Sequence, residues 1–152
     1  DRQGICPEGW VIPSDYDLNQ LEEEIATHPE LYSSQTEPHE WQSRYEIIVN
    51  WRPGTGSPTA DWWGRSMKSS TSVNSIDPQG LSYTDGTGFN ALLVGFLGTG
   101  AASDYGTYSY CWSSSADSAT AAWRRYLINN ASGVNRSPIS KYHSFPVRCK
   151  KI

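Results

Sequence analysis

Pro13-Ser14-Asp15-Tyr16-Asp17-Leu18-Asn19-Gln20-Leu21 is the stretch on which the fold class turns. Ser14 can cap a helix N-terminus, and Asp17, three residues on, can reach back to it in the manner of a capping box. Leu18, Leu21 and Ile25 then follow at helical spacing. Glu22, Glu23 and Glu24 read as the solvated face of that helix rather than an acid/base cluster. Pro29 stops it just after His28. A second helix is predicted from about Glu40, with Trp41, Tyr45 and Ile48 on one face, ending before Pro53.

Downstream the text changes. Between Pro53 and Gly88 glycine and proline recur and Ser/Thr fill the gaps, which predicts long loops pinned by Trp62 and Trp63 rather than a disordered linker. Strands are predicted over residues 89–97, 108–115, 122–128 and 134–136, with a turn at Asn129-Asn130-Ala131-Ser132-Gly133. In a last strand Phe145, Val147 and Cys149 point inward against Arg148 and Lys150 outward. Helices first and strands after predict an α+β fold: two helices, a small mixed or antiparallel sheet and long loops, in a single domain over residues 1–152.

Seven Trp and nine Tyr in 152 residues predict a packed core. Charged residues are 18% and the net charge is −4, with no basic block longer than Lys150-Lys151, so electrostatic nucleic-acid binding is not expected. No apolar run is long enough to span a bilayer. The opening Asp1-Arg2-Gln3-Gly4 carries no signal peptide and reads as a domain cut from something longer. Cys6, Cys111 and Cys149 match no zinc or thioredoxin-type spacing. A Cys6–Cys149 bridge would tie the two ends together and stabilise by about 5 kcal/mol at most; three buried thiols are the alternative.

Three groups of residues carry a resemblance. Cys6-Pro7-Glu8-Gly9-Trp10-Val11-Ile12-Pro13-Ser14 is similar to the opening of the Fibrobacter succinogenes major paralogous domain. Gly88-Phe89-Asn90-Ala91-Leu92 resembles an internal segment of that family. Cys111-Trp112-Ser113-Ser114-Ser115, then Ala122-Trp123, then Phe145-Pro146-Val147-Arg148-Cys149 resemble its ending. The ordered set spans almost the whole chain. The resemblance implies an extracellular module, on a cell or virion surface, with a C-type-lectin-like fold whose terminal strands lie side by side, which suits a Cys6–Cys149 bridge. A looser likeness is to formylglycine-generating domains. Both groups supply the variable proteins of diversity-generating retroelements, and residues 105–144 are expected to be such a rewritten segment. Trp10, Trp112, Trp123, Phe89 and Val147 would be scaffold, with Cys6 and Cys149 structural.

The predicted binding residues lie in that segment: Tyr105, Tyr108, Tyr110, Asp117, Arg125, Tyr126, Asn135, Ser137, Ile139, Tyr142 and His143. Tyrosine offers a rigid apolar face and one hydroxyl at low entropic cost, and sugar rings lie well against such faces. A place in the β core competes for any single tyrosine; for the cluster, in Gly- and Ser-rich sequence, binding is the better explanation. Asp117, Asn135, Arg124, Arg125 and Arg136 could add polar contacts, although for each one singly a solvated side chain is the better reading. The expected partner is a protein or glycan on another cell or surface.

No cofactor is expected. Glu37-Pro38-His39 and Trp112-Ser113-Ser114 lack the clustered carboxylates a calcium-dependent lectin needs. His28, His39 and His143 form no metal-ligating pair. Without a G-x-S-x-G elbow no serine stands out as a nucleophile. Asn130-Ala131-Ser132 and Asn135-Arg136-Ser137 are formal glycosylation sequons. The rival readings are an enzyme of the formylglycine-generating sort with Cys111 as its reactive thiol, and a structural tip or pilus subunit.

Overall fold

The computed structural model describes residues 4–32, 40–52, 63–70, 87–98 and 100–152. Trp62, His39, the Glu37-Pro38-His39 motif and most of the predicted long loops between Pro53 and Gly88 lie outside these.

Helix α1, Asp15–Thr27, starts where the capping box predicts: the Asp17 amide donates to Ser14 Oγ (3.1 Å) and the Ser14 amide to the Asp17 carboxylate (2.7 Å). Asp15 and Asp17 in its first turn also complement the helix dipole. The helix ends at His28, and Pro29–Leu31 continues as a 3-10 turn. Leu18, Ile25 and Ala26 are buried, but so is Glu22, at 1% exposure. The expected solvated face therefore holds only Glu23 and Glu24.

The second helix, α2, is a single turn, Arg44–Ile47. Its inward face is the expected one, with Tyr45 buried and Trp41 and Ile48 packed on the core. The β-branched run Ile47-Ile48-Val49 is poor helix material, and Asn50, at φ 88°, turns the chain into a strand instead.

Strands β1 (Trp10–Val11), β2 (Asn50–Arg52), β3 (Phe96–Leu97), β4 (Ala102–Ser103), β5 (Tyr108–Ala116), β6 (Ala121–Ile128), β7 (Val134–Ser140) and β8 (Lys150–Lys151) follow in chain order. The main sheet is antiparallel in the order β2-β7-β6-β5; β1 pairs with β8 and β3 with β4. The fold class is α+β. Strand β7 runs four residues past its predicted end despite Pro138. Its β2 neighbour covers only Val134 to Arg136, so among the described residues Pro138 meets β6 on one side and no strand on the other.

Two predicted strands are mostly not strands. In residues 89–97 only Phe96–Leu97 pairs as one, because Asn90 (φ 53°) and Gly95 (φ 67°) break the pleat. Gly95 is required there, since a Cβ would sit 2.0 Å from the Ser103 carbonyl oxygen. The closing segment stays unpaired until Lys150 apart from Trp112 N–H to Pro146 O (3.2 Å); Pro146 has no N–H to give a ladder. Phe145 is buried as expected. Arg148 is not outward: its guanidinium lies 4.2 Å from the Phe89 ring centroid and donates to the Phe89 and Asn90 carbonyls.

Cys6 and Cys149 are bridged and Cys111 is a buried free thiol. The core gathers Ile25, Ala26, Tyr45, Trp63, Met67, Ala91, Leu127 and Val134 between α1 and the sheet. Trp63 anchors its segment as predicted, its ring against Trp41 and Tyr45 and its indole N–H donating to Glu22 (3.2 Å).

Candidate ligand-binding face

Side chains alternate across a strand, so β5, β6 and β7 each contribute to two faces. Cys111, Arg125 and Arg136 sit in register on the face that packs against α1. There Glu22 Oε1 accepts from Arg52 Nη2 (2.6 Å) and Arg125 Nε (2.8 Å). Asp15 accepts from Arg125 Nη1 (2.5 Å) and Arg136 Nη2 (2.7 Å). Asn19 Oδ1 accepts from Arg52 and Arg125, both at 2.7 Å. Three guanidiniums thus meet two carboxylates. The surplus is met by the Tyr45, Ile47 and Ile48 carbonyls at the end of α2, oxygens that a helix terminus leaves unpaired.

Burial works to raise the Asp15 pKa, but hydrogen bonding and charge from Arg136 and Arg125 outweigh it and hold the carboxyl below its usual range. Burial, reinforced by the two neighbouring cations, lowers the Arg52 pKa to about 10 against the pull of Glu22. It remains a cation at neutral pH.

Three expected contact residues, Arg125, Asn135 and Tyr110, are internal. Arg125 and Asn135 are each 2% exposed; Arg125 commits its Nε and both terminal nitrogens to Glu22, Asp15 and Asn19. Arg136, buried as well, also lies 3.5 Å from the Trp123 ring centroid. Trp112 and Trp123, expected as buried scaffold, are half-buried, and Trp10 is 39% exposed. The two-residue β1 pairs Trp10 with Lys151.

The opposite face is aromatic. Tyr110 and Tyr126 are register partners, Trp112 faces Arg124, and Tyr126 faces Asn135, which in turn faces Trp51. Trp51 meets Tyr126 edge-on at 5.3 Å; Tyr108 stacks on Tyr110 at 5.4 Å and Phe145 on Tyr110 at 4.7 Å. Phe96 and His143 close over Phe145 at 5.3 and 5.6 Å. The Arg124 guanidinium lies 5.0 Å from the centroids of Tyr110, Tyr126 and Phe145. Tyr110 is 7% exposed. Burial, and the hydrogen bond it donates to Asp104 (2.7 Å), push its pKa well above 10. Its role in this cluster is structural, whereas Tyr108 and Tyr126 remain half-open.

Ser137 and Ile139 continue the face along β7, half-buried. Asp117 is exposed in the β5–β6 hairpin. Tyr142 follows β7 at 89% exposure, and Tyr105 precedes β5 at 68%. The fold thus gathers Tyr108, Tyr110, Tyr126, Asn135, Ser137 and Ile139 on one face, brings His143 over it, and leaves Tyr105, Asp117 and Tyr142 at the strand ends. Trp51, Phe96 and Phe145 belong to the cluster and were not predicted to. Phe145 was legible only as an inward residue, and Trp51 stands one residue from Arg52 in a strand too short to show alternation.

Beside the β5 edge a cleft of about 350 Å³ opens between Leu92, Val94 and Pro146, reaching Ser109 and Tyr110. Cys111 is closed off on the helix side, and burial raises its thiol pKa. Among the described residues no three His, Cys, Asp or Glu side chains cluster as metal ligands, and no helix is long and apolar enough to cross a membrane.

Neither the curated proteins nor the solved structures include one that matches the chain. The family comparison is positive: the model of the Fibrobacter succinogenes major domain matches residues 1–151, from ahead of Cys6 to β8. The chain belongs to the Fibrobacter succinogenes major domain family.

Proposed function

We propose that this protein is a non-enzymatic ligand-binding module, secreted or displayed on a surface, that presents the outer face of its sheet to a protein or glycan. The observation that carries this reading is the division of the sheet: one face is spent on α1 and the arginine network, and the other bears Trp51, Tyr108, Trp112, Arg124 and Tyr126 with partial exposure. A sheet packed on one side normally turns polar residues outward, and an aromatic carpet there is the composition of a recognition surface. The Cys6–Cys149 bridge suits an oxidising compartment. The pairing of β1 with β8 is compatible with a C-type-lectin-like arrangement. The gathering of β5–β7 positions on that face fits a retroelement-diversified segment at residues 105–144.

Replacing Tyr108, Tyr126 and Tyr142 together by alanine is expected to weaken binding to a partner found by glycan-array or surface-protein screening by about a hundredfold or more, since a few aromatic anchors dominate such interfaces. Tyr110 is left intact because it is built into the cluster beneath. Unchanged affinity would overturn the proposal.

For the enzyme reading, the buried, raised-pKa Cys111 is unfavourable, because reactive thiols are exposed and low in pKa. Cys111 is expected to resist alkylation at neutral pH in the folded protein and to react once it is unfolded in denaturant. Fast labelling of the native protein would reinstate the enzyme.

A further inference from the structure

We propose that the aromatic face recognises a carboxylate-bearing sugar, a uronic acid unit of a glycan, with Arg124 as the carboxylate clamp and Tyr126 and Trp51 as the stacking platform. This rests on the ligand-binding reading above and names the chemistry of its ligand. Of the three consecutive-strand arginines, Arg125 and Arg136 turn to α1 and are ion-paired there. Arg124 turns the other way and has no carboxylate in ion-pair range among the described residues. Its Nε donates to Ser137 Oγ (3.4 Å), a weak contact, and its guanidinium also hydrogen-bonds to the Tyr110 side chain, which leaves part of its edge for a ligand. Asp104, the nearby anion, already accepts from the Tyr110 and Ser103 hydroxyls.

A half-buried cation whose nearest carboxylate stands outside ion-pair range is costly. The rings of Tyr110, Tyr126 and Phe145 hold it in place by its face. Beside it on the same face Ser137 is half-buried, and its hydroxyl can both donate and accept. Half-open aromatic rings set edge to face, a guanidinium and a hydroxyl match a sugar acid: C–H faces on a ring, carboxylate on the guanidinium, a sugar hydroxyl on Ser137. An extended acidic peptide fits less well, because the free backbone edge it would seek at β5 is occupied. Gly95 donates to the Tyr108 carbonyl, and Trp112 and Ser114 donate to the Pro146 and Pro13 carbonyls. The net charge of −4 also argues for one local carboxylate contact rather than a dense polyanion track.

The test measures binding of galacturonic and glucuronic acid oligomers, and of their methyl esters, which keep the rings and hydroxyls and lose the charge. The free acids are expected to bind about tenfold tighter than the esters. Arg124→Gln should abolish that preference, and Arg124→Lys should recover part of it, because the charge returns without the fork. Tyr126→Ala should weaken acid and ester alike. Thermal unfolding of each variant checks that the fold persists. Equal binding of acid and ester, or a preference that survives Arg124→Gln, overturns the proposal. So does absence of oligouronate binding while a neutral glycan, an acidic peptide or a protein is bound in a Tyr108- and Tyr126-dependent way; that outcome leaves the ligand-binding reading standing. Loss of every ligand across the screen fails both.

Discussion

Glu22→Gln is expected to destabilise the fold by about 3–5 kcal/mol, the usual consequence of removing one partner from a buried ion pair. The substitution is nearly isosteric, so no cavity is made. What changes is charge: Arg52 and Arg125 donate to the same Glu22 oxygen at 2.6 and 2.8 Å. Both are buried with almost no solvent to compensate. With Glu22 neutral, three guanidiniums would face the single carboxylate of Asp15. An amide NH₂ in place of an oxygen would also point donors at donors. Glu23→Gln, exposed one residue along the same helix, is the control and should shift stability by well under 1 kcal/mol. Chemical denaturation of the two variants decides it; a Glu22→Gln loss as small as the control's would mean that the network is not where the α1–sheet interface draws its stability. The same logic sets a pH dependence. The folded Asp15 pKa lies below its unfolded value, so its contribution is complete above about pH 4 and is lost as pH falls through the folded value. Asp15→Asn should therefore flatten the acid limb of the stability curve.

How far this was legible from the chain depends on the range of the interaction. The capping box of α1 spans three residues, and the sequence reading of that helix matches the structure at both ends. Strands β5 and β6 were legible for a similar reason, as two aromatic-rich runs that a four-residue connection joins. Glu22 was misread because three adjacent glutamates look alike in composition. Its position alone separates them: it stands four residues after Leu18 and three before Ile25, on the apolar stripe, while Glu23 and Glu24 do not. Arg125 carries a comparable signal. It shares strand parity with Leu127, which is buried, and Arg124 shares parity with Tyr126. What no local pattern supplies is the partner: Glu22 meets Arg125 across 103 residues and Arg52 across 30. For the binding face, the tyrosines were visible as a cluster, but their common side depends on registers to β7 and β2. Tyr110 shows the limit of composition: the same residue type in the same strand became support, not surface, once Phe145 and Phe96 closed over it.

Removing the crosslink, by Cys6→Ser with Cys149→Ser, is expected to lower stability by about 3–5 kcal/mol. The chain-entropy estimate for a loop this long lies near 5 kcal/mol. The sequence separation of 143 residues spans nearly the whole chain, so the unfolded state regains almost all of its end-to-end freedom when the bridge is cut. The contacts at the ends are short-range and few among the described residues. Strands β1 and β8 pair over two residues each, Ile152 N–H donates to Gly9 O (3.0 Å), and the Lys150–Asp17 ion pair (2.6 Å) is partly exposed on its lysine side and so contributes little. Loss of the bridge should show twice: as a lower denaturation midpoint for the whole domain, and as faster hydrogen exchange in β1 and β8 ahead of β5–β7. Because Cys6–Cys149 acts mainly on the unfolded chain and Glu22 on the folded interface, the two effects should add in the combined variant. A midpoint unmoved by the double serine substitution would mean that the β1–β8 pairing and the helix interface alone hold the termini, and that the bridge guards against local fraying rather than global unfolding.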